Sequence, residues 1–312
     1  MRSVDVVVIG AGQAGLSAAY HLQHRGFSPV TRAADHERTF VVLDAEQAPG
    51  GAWQHRWRSL TMNTVNGIHE LPGFPVPPAT PDAVSREVLP QYFAAYEERF
   101  ELDVQRPVRV SSVRYPSTPG MSGTGLIVDS LDQRGSPVTL HARYVINATG
   151  TWTRPFWPTV PGQERFRGRQ LHVHDYVSAE EFRGKRVVIV GAGISATQLL
   201  EEVSRVTETL WVTRREPEWV DRFTDGSIIA SLAEVEERTR KGLPPQSVVR
   251  VTGMHRTPWI ERAQARGALN LGYGASQSTV GANRAGRDAV RAILAEDRTM
   301  ITEIDEGTLI SH

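Results

Sequence analysis

Two glycine-rich turns, each set between an apolar run and an Ala/Leu-rich stretch, restrict this chain to few folds. The first is Gly10-Ala11-Gly12-Gln13-Ala14-Gly15, directly after Val6-Val7-Val8-Ile9. The second is Gly191-Ala192-Gly193-Ile194-Ser195-Ala196, directly after Val187-Val188-Ile189-Val190. A short apolar run closed by glycine reads as a buried parallel strand, and the residues beyond each turn carry helical periodicity. Such a turn lets bare backbone approach a pyrophosphate, which rests on a helix N-terminus where unpaired N–H groups and the dipole favour anions. Ala196 stands where a third glycine would, which the pattern allows. Glycine-rich strand–helix turns also occur in α/β proteins that bind nothing. Two copies together point to a protein that holds two dinucleotides.

The predicted fold class is therefore α/β, with two Rossmann-like dinucleotide-binding domains. A length of 312 residues fits two domains, and 40% hydrophobic residues is enough for two cores. Lys+Arg and Asp+Glu both total 35, so nothing in the net charge favours nucleic acid or an anionic membrane as partner. The chain has no cysteine, which excludes disulfide scaffolds, thiolate metal sites and every dithiol redox mechanism. His172 and His174 lack acidic or cysteine partners at metal-site spacing, so no metal is expected. The first strand starts within a few residues of Met1, leaving no room for a signal peptide. No apolar stretch approaches the ~20 residues that span a bilayer. A cytoplasmic protein is expected; its oligomeric state is open.

Along the chain, Val4 to Ile9 reads as a strand and Gly15 to Arg25 as a helix closed by Gly26. Ser28 to Thr39 is polar and reads as a surface insertion ahead of a strand from Phe40 to Leu43. Asp44 closes that strand, where an acidic residue can bind ribose hydroxyls; a solvated turn aspartate is the alternative. Pro49 to Pro81 should be a long ordered loop, and Ser85 to Phe100 a helix with Val88, Leu89, Tyr92, Phe93, Tyr96 and Phe100 on one face. Val108–Val113, Leu126–Ser130 and Val138–His141 read as a small antiparallel meander inserted in the first domain, with Tyr144–Ala148 a separate buried strand. In the second unit, a helix over Ser195–Val206 leads to a strand at Leu210–Thr213 and then Arg214-Arg215. Ala285 to Leu294 reads as the last helix. The expected domains are 1–154, a linker at 155–180, a second nucleotide domain at 181–295, and an incomplete return to the first domain at 296–312.

With those residues in hand, the chain resembles the class B flavin-dependent monooxygenases, which include flavin-containing and Baeyer–Villiger monooxygenases. Five features carry the resemblance: the fingerprint at Gly10; Asp44 six residues before Gly50-Gly51-Ala52-Trp53; Asn147-Ala148-Thr149-Gly150; the fingerprint at Gly191; and a linker, Phe166-x-Gly168-x-x-x-His172-x-x-x-Tyr176. Tyr176 agrees better with the flavin-containing members, since Baeyer–Villiger members usually carry Trp there.

The resemblance implies FAD on the first unit, held by Gly10, Gly12, Gln13, Ala14, Gly15, Asp44, Gly51, Trp53 and Gly150. It implies a reduced nicotinamide nucleotide on the second, held by Gly191, Gly193 and Ser195. Reduced flavin would react with O2 to a C4a-hydroperoxide that passes one oxygen atom to a small organic nitrogen or sulfur compound or a carbonyl. Asn63 aligns with an asparagine that flavin-containing members place beside the flavin; a turn residue in a polar loop is the other reading. His172 is then a linker residue that couples domain position.

Arg214 and Arg215 favour NADPH, because a guanidinium matches the 2′-phosphate bidentately. One charge-assisted bond of roughly 1.5–3 kcal/mol gives roughly ten- to hundred-fold preference over NADH. A pair of solvated surface arginines is the alternative. The family ends with a strand and an ATG-like segment that covers the flavin. Beyond Met300–Ile304 this sequence carries none: either the last strand is degenerate, or the chain is a shortened relative, whose exposed flavin would leak activated oxygen to hydrogen peroxide. The competing expectations are a two-nucleotide reductase or NADPH oxidase without oxygenation, and a non-catalytic relative that keeps the fold.

Overall fold

The computed structural model describes residues 2–65, 67–116, 125–159, 161–213, 216–220, 230, 233–234, 236–238, 240–243, 253–269 and 271–273. The chain divides into two compact units. The first is Met1–Phe156 with His174–Tyr176; the second is Trp157–Val173 with Val177–His312.

The first unit is built on β1 (Arg2–Ile9), α1 (Gln13–His24), β2 (Phe27–Pro29), β3 (Arg38–Leu43), α2 (Ser85–Arg99), β4 (Arg109–Arg114), β5 (Leu126–Leu131) and β6 (Pro137–Asn147). These strands form one six-stranded sheet in the order β2-β3-β1-β6-β5-β4. Central β1 runs parallel to β3 through Val6↔Phe40 and Ile9↔Leu43, and parallel to β6 through Val6↔Tyr144 and Ile9↔Asn147. Alternation along the strands splits the apolar residues between two faces. Val6, Val8, Phe40 and Val42 meet Leu16 and Ala19 of α1 and Tyr92, Phe93 and Tyr96 of α2. Val7, Ile9, Val41 and Leu43 pack with Val128, Leu140 and Ala142 on the other. Each fully buried Val, Leu or Phe contributes about 1.5–3 kcal/mol, so this core dominates the stability of the unit.

Two sequence expectations change here. The meander does not stand apart from the main sheet: its last strand and the strand expected to be buried at Tyr144–Ala148 are one strand, β6, which pairs antiparallel with β5 and parallel with β1, and Tyr144 on it is exposed. No glycine or proline interrupts it between Val138 and Asn147, so nothing stops the chain running on. The segment read as a polar insertion begins within β2, whose three residues pair in parallel with the start of β3.

The second unit contains β7 (Val187–Val190), α3 (Ile194–Val203), β8 (Thr209–Thr213), β9 (Trp219–Val220), β10 (Met254–His255), α4 (Pro258–Ala265) and β11 (Leu271–Tyr273). β11, β8 and β7 form a parallel three-stranded sheet, and β9 pairs in parallel with β10. The expected helix at Ala285–Leu294 and the return segment at 296–312 lie outside the described residues. Among the described residues no helix is long and apolar enough to cross a membrane.

Glu201 joins α3 to α4. It is buried and accepts hydrogen bonds from Arg205 (2.6 Å) and Arg262 (3.1 Å), while Arg266 donates to its backbone carbonyl (2.8 Å). Burial works against its charge, but the Arg205 and Arg262 hydrogen bonds outweigh that and hold its carboxyl below the usual value. A depressed carboxylate stabilises the fold fully above the ordinary carboxylate range and loses that contribution as pH falls through the lowered value. Glu201→Gln should cost about 2 kcal/mol at neutral pH, less than the ~3–5 of a fully buried pair because the guanidiniums stay partly in water. The same substitution should flatten the acid limb of stability, and urea denaturation across pH 3–7 checks both expectations.

Candidate functional site

The carboxyl ends of β1, β3 and β6 converge on the first glycine turn. Gly10 N–H donates to Leu43 O (2.7 Å) and Ala148 N–H to Ile9 O (2.9 Å), fixing the turn to both flanking strands. A Cβ on Gly10 would stand 2.5 Å from Ala148 O, and one on Gly15 would stand 1.9 Å from Gly10 O. Both positions therefore admit only hydrogen. Gly12 is different: a Cβ there would meet nothing within 4 Å. Gln13 and Ala14 are exposed beside it, and the Gln13 side-chain amide donates to His69 O (2.9 Å), holding the following loop near the turn.

Gly12 is also the N-cap of α1, which has no side-chain cap and no acidic residue in its first turn. The second turn repeats this: Gly193 is the N-cap of α3, again without side-chain cap or first-turn acid. A Cβ on Gly193 would meet nothing within 4 Å, and Gly191 has φ +122°. Ser195 lies in the first turn of α3 and is half-buried. Uncapped N–H groups under open space are what a bound pyrophosphate requires.

Gly50 and Gly51 bring the Trp53 segment to the first turn. A Cβ on Gly51 would lie 3.0 Å from Gly12 Cα, and one on Gly50 would lie 2.8 Å from Pro90 of α2. Trp53 is half-buried and packs against the core. Gly150, φ +63°, lies just beyond β6 with open space where a Cβ would be.

Asp44 is not a solvated turn residue. It is buried, and its Oδ2 accepts from Arg106 Nε (3.1 Å), while the two terminal nitrogens of Arg106 donate to both oxygens of Glu97 on α2 (2.6 and 2.7 Å). Burial opposes the Arg106 charge, but the hydrogen bonds and fields of Glu97 and Asp44 raise its pKa above the usual value. The segment carrying Arg106 runs beside the tip of β3, where Gln105 N–H donates to Val42 O and Asp44 N–H to Gln105 O. Nothing local in the sequence signals this triad, because its members lie on three separate segments.

Asn63 stands exposed in a turn, its backbone N–H donating to Pro81 O (2.9 Å). The linker signature is divided between the units. Phe166, Gly168 and His172 belong to the second, where the Phe166 ring covers Gly168 and His172 lies 6.0 Å from the Trp157 ring. Tyr176 belongs to the first, buried edge-on against Trp57 at 5.7 Å. Arg214 and Arg215 lie outside the described residues. Among the described residues no cluster of His, Asp and Glu could hold a metal ion.

Trp211 is a positioning residue that sequence patterning missed. It is fully buried on β8, and its indole N–H donates to Gly191 O (2.7 Å). Trp211→Phe keeps a six-membered aromatic ring but removes the pyrrole ring with its N–H, leaving that carbonyl unpaired and a small cavity, a loss of about 2–3 kcal/mol. Its expected effect is several-fold weaker binding of a nicotinamide nucleotide, with binding to the first unit unchanged; titrating each nucleotide separately tests it.

A family model described as flavin-binding monooxygenase-like matches residues 3–230. A human protein named putative dimethylaniline monooxygenase (N-oxide-forming) 6 is 28% identical over 232 residues, covering 70% of this chain and 41% of its own length. The chain thus spans about two-fifths of the length of the curated relatives it matches. The solved flavin-containing monooxygenase from Stenotrophomonas maltophilia is 37% identical with TM-score 0.66, over 89% of this chain and 72% of that one. The S-allyl-L-cysteine S-oxygenase from Allium sativum shares the fold at 21% identity and TM-score 0.53, over 72% of this chain and 54% of that one.

Proposed function

The chain belongs to the flavin-binding monooxygenase-like family, and on that footing we propose that it is an FAD- and NADPH-dependent monooxygenase acting on a small organic nitrogen or sulfur compound or a carbonyl. The observation that carries this reading is the pair of glycine turns, each ending in an uncapped helix N-terminus with open space above its second glycine. We assign FAD to the first unit and NADPH to the second. Bound FAD supplies acceptance of hydride from NADPH and activation of O2 for transfer of one oxygen atom.

The protein's part is to bind and orient. The α1 N-terminus would receive the FAD pyrophosphate, and the Asp44 carboxylate, held in place by Arg106, would bind the ribose. Gly51, Trp53 and Gly150 would line the same cofactor site. Asn63, exposed in its turn, is the candidate amide donor toward the reacting centre. Arg214 and Arg215 are the candidate readers of the NADPH 2′-phosphate.

The test is turnover with NADPH and labelled O2 in the presence of a tertiary amine or a thioether. One labelled oxygen in the product, with NADPH preferred over NADH by ten-fold or more, is the expected result. NADPH consumption that yields only hydrogen peroxide would replace this reading with a reductase or oxidase.

A further inference from the structure

Among the described residues of the first unit, two buried donors have no acceptor, and the groups that carry them stack on each other. The Arg56 Nε and the Trp152 Nε1 are both shielded from solvent without a hydrogen-bond partner. The Arg56 guanidinium carbon lies 4.4 Å from the centre of the Trp152 ring and 5.5 Å from that of Trp53. Buried polar groups are nearly always satisfied, and a specific exception calls for a reason, an absent ligand among them. A cation over indole faces gains some attraction, yet π faces do not satisfy an N–H in its own plane.

Arg106 in the same unit shows the ordinary solution, with two carboxylates on one guanidinium. Among the described residues Arg56 has no carboxylate partner, and burial lowers its pKa from the usual value. Its position adds to the argument. Arg56 ends the short turn Gly51–His55, whose first residue abuts Gly12 of the glycine turn. Trp152 follows Gly150 at the end of β6, the strand paired with β1. The two donors therefore come from the two segments that flank the first dinucleotide turn.

We propose that Arg56 and Trp152 together form a donor pair for a negatively charged acceptor of the first dinucleotide. This inference rests on the assignment of FAD to that unit. Two parts of FAD offer this chemistry: the pyrophosphate, and the polar edge of the flavin ring, which gains negative charge on reduction. The Trp152 and Trp53 rings lie 4.4 and 5.5 Å from the guanidinium carbon, and its Nε is shielded from solvent.

The test compares the wild-type chain with Arg56→Gln and with Trp152→Phe, which keeps a six-membered aromatic face and removes the pyrrole ring with its N–H. FAD and ADP affinities are measured on apoprotein, and the flavin midpoint potential on protein loaded with FAD. If the acceptor is the pyrophosphate, Arg56→Gln weakens FAD and ADP in parallel by about tenfold or more, and Trp152→Phe by about fivefold. If it is the ring edge, ADP binding is unchanged and the two-electron potential falls by about 30 mV per tenfold of reduced-state affinity lost. Either result supports the donor pair. Folded variants with wild-type affinities and potential would overturn it while leaving the FAD assignment intact. A wild-type chain that binds no FAD would overturn both.

Discussion

Gly15→Ala is expected to cost the first unit about 3 kcal/mol or more and to abolish FAD retention. Its new Cβ would stand 1.9 Å from the Gly10 carbonyl oxygen and 2.9 Å from the Gly10 carbonyl carbon. These neighbours are backbone atoms held on both sides, since Gly10 N–H is bound to Leu43 O and β1 is paired on both edges. Neither can yield like the tip of a flexible side chain, so α1 must move away from β1. That movement opens the packing of Leu16 and Ala19 against Val6 and Val8, an overpacking penalty of about 1–3 kcal/mol compounded by lost core contact. Gly12→Ala provides the contrast. Open space surrounds its Cβ position and its backbone is extended, at φ −81° and ψ −169°, so the fold tolerates the methyl. The methyl would stand where bare backbone meets the cofactor, and the expected result is unchanged stability with FAD binding weakened by tenfold or more. Thermal denaturation and FAD titration of the two variants separate the steric role from the binding role.

The second large effect is at Arg106. Arg106→Met preserves the aliphatic stem and removes the charge, leaving Asp44 and Glu97 buried with side-chain exposures of 8% and 12%. Removing one partner of a buried ion pair costs about 3–5 kcal/mol, chiefly because the remaining charge is stranded. The expected loss is in that range, with weaker FAD binding because Asp44 no longer has a fixed position. Neutralising the stranded acids should reverse most of the loss: the triple variant Arg106→Met, Asp44→Asn, Glu97→Gln should be more stable than Arg106→Met alone. Urea denaturation of the single and triple variants checks this, and equal stability would contradict the stranded-charge account.

The parts of the fold legible in the sequence are those with local signals. Val6 to Ile9 before Gly10, and Val187 to Val190 before Gly191, mark strand and turn within a dozen residues each. Helix α2 follows from the spacing of Val88, Leu89, Tyr92, Phe93, Tyr96 and Phe100, of which Leu89, Tyr92, Phe93 and Tyr96 are buried and Val88 and Phe100 half-buried. The sheet's continuity was harder to read. From Val138 to Tyr144 apolar and polar residues alternate, with Thr139, His141 and Arg143 in the polar places, and from Tyr144 to Ile146 the run is continuously apolar, so one strand reads as two. Strand β2 is only three residues long and takes its pairing from β3 rather than from its own composition.

The candidate site divides the same way. The glycines are visible because each occupies a turn that excludes Cβ or must stay open. The Asp44–Arg106–Glu97 triad, the Trp211–Gly191 bond and the Arg56–Trp152 pair join residues far apart in the chain. Only folding brings those partners together, and no short pattern encodes them.

The visible absorption spectrum of the purified chain, recorded before and after addition of FAD and again after desalting, tests the central claim most directly. The account predicts flavin bands that remain with the protein on desalting and that are lost in Gly15→Ala. A folded wild-type chain that retains no flavin would contradict it, and with it the assignment of a dinucleotide to the Gly10–Gly15 turn.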